Sequence, residues 1–298
     1  MTTRAGRAAV RTRRRARAAE VGREITSHPS AMVGAALLLV IIALAMLAPL
    51  IMPLERLDVT LVTAKSNESP SGGHWLGTDP SGRDVLGLLL WGSRASLTVG
   101  FAATAVSMII GTTMGMAAGH FTGVTRAALL RIIDFFLVVP SLILAIVLST
   151  VLSRGLTTII IAIGVTSWAA TARIVRAQTL TIETRPYIER SRALGAGDAH
   201  IIRRHVFPAV MPLVMANTTL AVGAAIIAES TLAFLGLGDP TTFSWGTMLK
   251  TALDTGAATA GYWWFVLSPG IAIVIVVLSF TLVGRALESV LNPTLRDR

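Results

Sequence analysis

A chain of 298 residues in which 53% are hydrophobic and 14% charged is too apolar for an ordinary soluble domain. Its apolar residues fall in long blocks, which places it in a bilayer. Cysteine is absent, which excludes a disulfide framework, a thiolate nucleophile and a Cys-ligated metal centre. The net charge of +10 would suit nucleic acid, but Arg4, Arg7, Arg11, Arg13, Arg14, Arg15 and Arg17 are followed by no aromatic residue before Trp75 that could stack a base. Anionic lipid headgroups are the expected contact of this tail, not nucleic acid.

In chain order, residues 1–30 read as a basic cytoplasmic tail and residues 31–298 as one membrane domain. A cleaved signal peptide is not expected, because the first apolar run is too long and lacks a small-x-small cleavage site. About 20 apolar residues cross a bilayer, and six runs are predicted to do so: Ala31–Met52, Ala95–Gly119, Ala127–Leu152, Thr157–Ala172, Leu213–Leu235 and Trp263–Leu287. The connecting loops alternate in charge. Arg126 and Arg131, the 173–208 segment, and the C-terminal Arg296 and Arg298 lie on the basic side with the tail. The segments at about 53–92 and 236–262 carry Glu55, Asp58, Glu68, Asp79, Asp84, Asp239 and Asp254. Basic loops stay inside, so both termini are predicted to face the cytoplasm. In the second outer segment Trp245, Met248, Leu249, Ala252 and Leu253 recur at helical spacing, which predicts a short interfacial helix.

The 173–208 segment interrupts the apolar runs. Pro186 suits the first turn of a helix, the pattern continues through Tyr187, Ile188, Ser191 and Leu194, and Gly195 stops it. Asp198 is predicted to cap a second helix that ends before Pro208. Spacing alone leaves two readings: a helical hairpin presented to a partner, or an ordinary solvated loop.

Inside the runs, Asp134 and Glu229 each cost a few kcal/mol in lipid unless they have a partner or a polar cavity. Both are expected to face the bundle interior. Glu229 suits either a translocation route or gate, or a hydrogen-bonded contact between helices. Asp134 suits the route too, or a pair with Arg131 or another basic group near the cytoplasmic surface. A phosphate-cradling loop needs a lysine after glycine, but Lys65 follows Ala64 and Lys250 follows Leu249. His28, His74, His120, His200 and His205 lack ligand spacing, and no Ser-His-Asp set falls in one layer, so no catalytic residue, metal site or bound cofactor is expected. A passive pore, an ion-coupled carrier and a membrane subunit driven by a separate ATPase remain.

Tyr187-Ile188-Glu189-Arg190-Ser191-Arg192-Ala193-Leu194-Gly195-Ala196, followed by Arg204-His205-Val206-Phe207-Pro208, resembles the "EAA" loop of permease subunits in binding-protein-dependent ATP-binding-cassette importers. Three further strings resemble the dipeptide, oligopeptide and nickel branch: His74-Trp75-Leu76-Gly77-Thr78-Asp79-Pro80-Ser81-Gly82-Arg83-Asp84-Val85; Glu229 through Phe234-Leu235-Gly236-Leu237-Gly238 to Ser244-Trp245-Gly246; and Trp263-Trp264 with Ser268-Pro269-Gly270. The first of the three is similar to the second of the two permeases such systems encode. Arg190 and Ser191 stand where the family favours two alanines, and Arg285 where an acidic residue is expected.

The resemblance implies an all-α, six-span type I importer permease in a bacterial inner membrane, moving di- or oligopeptides. It implies a second permease subunit related by a pseudo-twofold axis, two ATP-binding subunits that hold ATP and magnesium, and an extracytoplasmic solute-binding protein. It also makes residues 186–208 the coupling segment, with Tyr187, Glu189, Arg190, Ser191, Leu194, Gly195, Ala196 and Pro208 meeting the ATPase. An ion-coupled secondary carrier using Glu229 and a nickel or other small-solute importer are the alternatives.

Overall fold

The computed structural model describes residues 29–291, with side chains to Ser289. The basic tail and the terminal Arg296 and Arg298 lie outside the described residues. Eleven α-helices account for nearly all of the described chain, and the described residues contain no sheet beyond one isolated bridge between Thr78 and Asp84. Four segments are long and apolar enough to cross a membrane, or six if each of two bent helix pairs is one span.

Helix α1 (Pro29–Ile51) runs along the last helix, α11 (Trp263–Leu291). Gly34 allows the approach, since a Cβ there would lie 2.9 Å from both Leu282 Cβ and the Ser279 carbonyl oxygen. Helix α2 (Val85–His120) starts ten residues before the predicted Ala95. Its N-cap is Asp84, whose carboxylate accepts the Gly87 N–H at 3.0 Å, and the helix continues through the polar Ser93-Arg94 stretch that had truncated the hydropathy signal. At about 1.5 Å per residue, it is longer than a bilayer core is thick.

The predicted third span is two helices. Helices α3 (Gly123–Val138) and α4 (Ser141–Val151) meet at 88°. Pro140 supplies no N–H and forces Val139 into an extended conformation (φ −77°, ψ 122°), so an uninterrupted apolar run still breaks. The predicted fourth span, Thr157–Ala172, likewise becomes α5 (Leu156–Thr166) and α6 (Ala169–Glu183), bent by 41°. Helix α6 runs eleven residues past the expected end, carrying Arg173 and Arg176 into what sequence alone assigns to a loop.

Helices α2 and α6 pack along a stripe of Gly111, Gly115 and Gly119. A Cβ on Gly115 would sit 2.5 Å from the Ala172 carbonyl oxygen, so only glycine permits this backbone contact. The hairpin α7 (Pro186–Ala193) and α8 (Asp198–Ile201) follows, and a π-helical turn (Ile202–Val206) leads without a stop into α9 (Phe207–Phe234). Gly284 meets Thr219 and Leu220 in the early part of α9, and Gly34 meets α11 late in its course. Pro29 and Leu291 therefore emerge at the hairpin end of the bundle.

At the opposite end, α10 (Trp245–Asp254) opens with a capping box between Ser244 and Thr247. The predicted interfacial helix is present, but Trp245, Met248 and Ala252 are buried in the core with Leu88, Ile226 and Phe265. Among its predicted apolar positions Leu249 is half-buried and Leu253 exposed.

Candidate functional site

Helix α7 has a sharply closed end. Gly195 adopts φ +85°, its N–H donates to the Arg192 carbonyl at 2.9 Å, and the Ala196 N–H donates to the Ser191 carbonyl at 3.1 Å. That pair of bonds is a Schellman closure, and the left-handed residue it needs is glycine. Ile188 from α7 and Ile201 from α8 are fully buried and pack with Val175, Ile182, Val206 and Val210. The hairpin is thus a folded element with its own anchor, as the partner-presenting reading requires.

Its outer face is what the anchor leaves free. Tyr187, Glu189, Arg190, Leu194, Gly195 and Pro208 are exposed, with Leu194 at 83%, while Ser191 and Ala196 are half-buried. An exposed leucine and tyrosine amid charges form a small mixed surface suited to docking.

Two expectations for this segment are corrected. Gly197, not Asp198, is the N-cap of α8, and Asp198 makes no cap bond; its carboxylate is turned to His120. The second helix does not end before Pro208 either. The Phe207 N–H donates to the Ile202 carbonyl, an i to i−5 bond, and this wide turn precedes the proline so that the helix passes through it.

Within the helices, α2, the α3–α4 elbow, α5, α6 and α9 enclose an open-sided cavity of about 470 Å³. Thr104, Ser107, Ser141, Thr166, Ser167, Thr171 and Asn217 are its polar lining, set among alanines of α9 such as Ala221, Ala225 and Ala228. Asn217 Nδ2 donates to Thr171 Oγ1 at 3.0 Å, whereas Thr104 Oγ1 is buried without a partner among the described residues. No charged side chain lines this cavity. It offers hydrogen bonds without electrostatic selection. Sequence reasoning missed these residues because isolated hydroxyls in apolar helices carry no motif.

Glu229 is buried but lines none of the cavities described. Its carboxylate accepts Ser96 Oγ at 2.9 Å and Ser230 Oγ at 3.3 Å, and Ser96 Oγ also accepts the Trp245 N–H at 3.3 Å. This geometry ties α9 to α2 and α10 behind the cavity wall. Asp134 does not face the interior as expected: it is exposed and makes no ion pair with Arg131 among the described residues. Ile133 is the one buried residue of α3, so that helix presents only a narrow contact stripe and turns its neighbour outward.

The loop before α2 is cross-braced. Asp79, fully buried, accepts the Ser81 and Arg83 N–H groups and is paired by Arg83 at 2.6 Å, while Thr78 Oγ1 accepts the Glu68 N–H and donates to the Lys65 carbonyl. Beyond the bilayer-crossing helices, Asp58 and Asp239 are held below the usual carboxylate range by hydrogen bonds from Thr60 and Thr241 respectively.

Residues 111–297, more than half the chain, match the family model described as the binding-protein-dependent transport system inner membrane component. The chain belongs to that family. The N-terminal region of this permease, residues 18–70, also matches the N-terminal transmembrane domain of oligopeptide transport permease C. The permease is 37% identical over 275 residues to the dipeptide transport system permease protein DppC of Bacillus subtilis, covering 92% of this chain and 85% of that one. It is 37% identical over 271 residues to the oligopeptide transport system permease protein OppC of the same organism, covering 91% and 87%. The glutathione transport system permease protein GsiD of Pectobacterium atrosepticum is 35% identical over 260 residues, covering 87% and 85%. Among solved structures, the MetNI methionine transporter in inward-facing conformations matches with a TM-score of 0.56 and 22% identity, over 68% of this chain and 96% of that one. That likeness shows the fold, which is all-α among the described residues.

Proposed function

We propose that this permease forms half of the membrane passage of an ATP-driven importer of di- or oligopeptides in a bacterial inner membrane, with both termini cytoplasmic. Its partners are a second permease subunit, two ATPase subunits that carry the ATP and magnesium, and an extracytoplasmic solute-binding protein. The observation that carries the reading is the 37% identity to dipeptide and oligopeptide permeases along nine-tenths of the chain. The closed, anchored hairpin supports its coupling half. Tyr187, Glu189, Arg190, Ser191, Leu194, Gly195, Ala196 and Pro208 form the element that the ATPase pushes.

On this reading the solute passes along the uncharged cavity, where hydroxyl and amide groups meet peptide backbones of any side-chain charge. Glu229 serves the route from behind its wall by fixing α9, and Asp134 faces a neighbour outside this chain. Two discrete states, biased by nucleotide below and by the loaded binding protein above, open the passage to alternate sides.

Proteoliposomes holding the complete assembly test the reading. Uptake of a radiolabelled dipeptide is expected to require ATP, to ignore ionophores, and to stop when Glu189 and Gly195 are replaced. Uptake that collapses with an ionophore but not with ATP depletion would establish an ion-coupled carrier instead. Solute-binding measurements on the cognate binding protein separate peptide from nickel.

A further inference from the structure

Four ionisable side chains from four helices meet where the hairpin joins the bundle. His120 closes α2, with 2% of its side chain exposed; its Nδ1 lies 2.5 Å from Glu183 Oε1 at the end of α6, and its Nε2 lies 3.2 Å from Asp198 Oδ1 at the start of α8. The other oxygen of Glu183, Oε2, accepts from Arg192 Nη2 of α7 at 2.6 Å. Each ring nitrogen of His120 thus faces a carboxylate oxygen. Around it, the Phe121 ring packs edge-on at 5.1 Å, and Arg126 from α3 spends its Nε on the Phe121 carbonyl, leaving the two carboxylates as the partners of the imidazole.

The placement of this cluster matters because the backbone around it is jointed. Thr184 and Arg185 separate α6 from α7, and Gly195 and Gly197, each with open space where a Cβ would go, separate α7 from α8. A hairpin held only by its two chain connections and by Ile188 and Ile201 could rock on those joints. The charge cluster crosses both. Arg192 and Glu183 bridge the first joint, and His120 reaches past the second to Asp198.

We propose that His120 is a positioning residue for energy coupling: bound to Glu183 and Asp198 at once, and through Glu183 to Arg192, it makes the hairpin and the ends of α2 and α6 move as one body. The inference rests on the reading of this hairpin as the ATPase-facing element. Without the fastening, the hairpin yields at its joints and its displacement is lost before it reaches the cavity wall that α2 and α6 help to build.

The chain has no native cysteine, so paired spin labels can be introduced at Leu194→Cys on the hairpin tip and Val124→Cys just beyond α2, both more than four-fifths exposed. Distances between them are measured in the assembled transporter in liposomes, nucleotide-free and trapped with ATP and vanadate. The parent is expected to give one narrow distance, the same in both states. Asp198→Ala and Arg192→Ala alter exposed side chains and leave the core intact. Each is expected to broaden the distribution roughly twofold and to make it nucleotide-dependent, while Arg192→Lys keeps a cation beside Glu183 and retains the parental distance. Combining His120→Gln with Asp198→Ala is expected to add nothing to His120→Gln alone, because the two share one contact. Variants as narrow and nucleotide-independent as the parent, or a strictly additive double, would overturn the proposal. A parental hairpin that never touches an ATPase would instead defeat the functional reading, and the distances would still report whether His120 fastens it.

Discussion

Glu229 illustrates how a single residue can be located by sequence and explained only by its neighbours. An acidic residue in an apolar span announces a polar environment, and that much is legible. Which environment is not, because Ser96 and Trp245 lie far away in the chain. Glu229→Gln retains a hydrogen-bonding carbonyl, and its unfolding midpoint in detergent is expected to stay within about 1 kcal/mol equivalent of the parent. Glu229→Leu leaves Ser96 without its acceptor and is expected to cost about 1–3 kcal/mol in the same measurement. Transport abolished by the glutamine variant at unchanged stability would instead assign Glu229 to the gate. Gly195 is the opposite case, since its neighbours matter little and its backbone decides. At φ +85° with open space around it, Gly195→Ala meets no clash but adopts a left-handed conformation, at about 1–2 kcal/mol. Coupled uptake is expected to fall while the assembled complex still co-purifies.

At the scale of elements, hydropathy found the centres of the helices and misplaced their joints. The 88° elbow at Pro140 sits inside one apolar run, so a sum over the run cannot register it, although the proline itself is the local signal. Helix α6 outlasted its prediction because its later turns are polar on one face and packed on the other, with Val175, Thr179 and Ile182 buried. Gly111, Gly115 and Gly119 of α2 recur every four residues, a spacing that does not name its partner. Gly115→Leu would drive a side chain into the Ala172 carbonyl, and overpacking of this kind typically costs about 1–3 kcal/mol. The yield of folded, monodisperse protein is expected to drop sharply, whereas Gly270→Ala, where nothing lies near, is expected to change little.

The loop after α9 carries an acid-sensitive contact. Hydrogen bonds from the Thr241 side chain and backbone hold the Asp239 carboxyl below its usual range, with partial burial opposing them. A depressed carboxyl contributes its full stabilisation above the unfolded value, about 3.9, and loses it as pH falls through the lower folded value. The protection factor of the Thr241 amide, the exchange rate of the unfolded chain divided by its own at the same pH, is therefore expected to be high at pH 6 and to fall below about pH 4, with Asp239→Asn removing the acid dependence.

At the scale of the whole molecule, the helices bring the hairpin, Pro29 and Leu291 to one end and the braced loop with α10 to the other. The charge alternation of the loops implied that arrangement, and the packing of Gly34 and Gly284 agrees with it. The resemblance of four ordered motifs carried the family, and the match over residues 111–297 bears it out. The cavity and the His120 cluster were beyond sequence, because each is assembled from helices distant in the chain by residues with no mutual spacing. On the proposed function these features serve transmission: an anchored hairpin at one end, glycine-tight helices between, and an uncharged cavity whose walls those helices form.

The most direct measurement uses Leu194→Cys in the otherwise cysteine-free chain, assembled with its ATPase subunits in membranes, and asks what a short thiol-directed crosslinker captures. The account requires an adduct with the ATPase in every nucleotide state, with a yield that changes between the ATP-bound and nucleotide-free forms. Labelling of that position from the external face, or no adduct in any state, would contradict it.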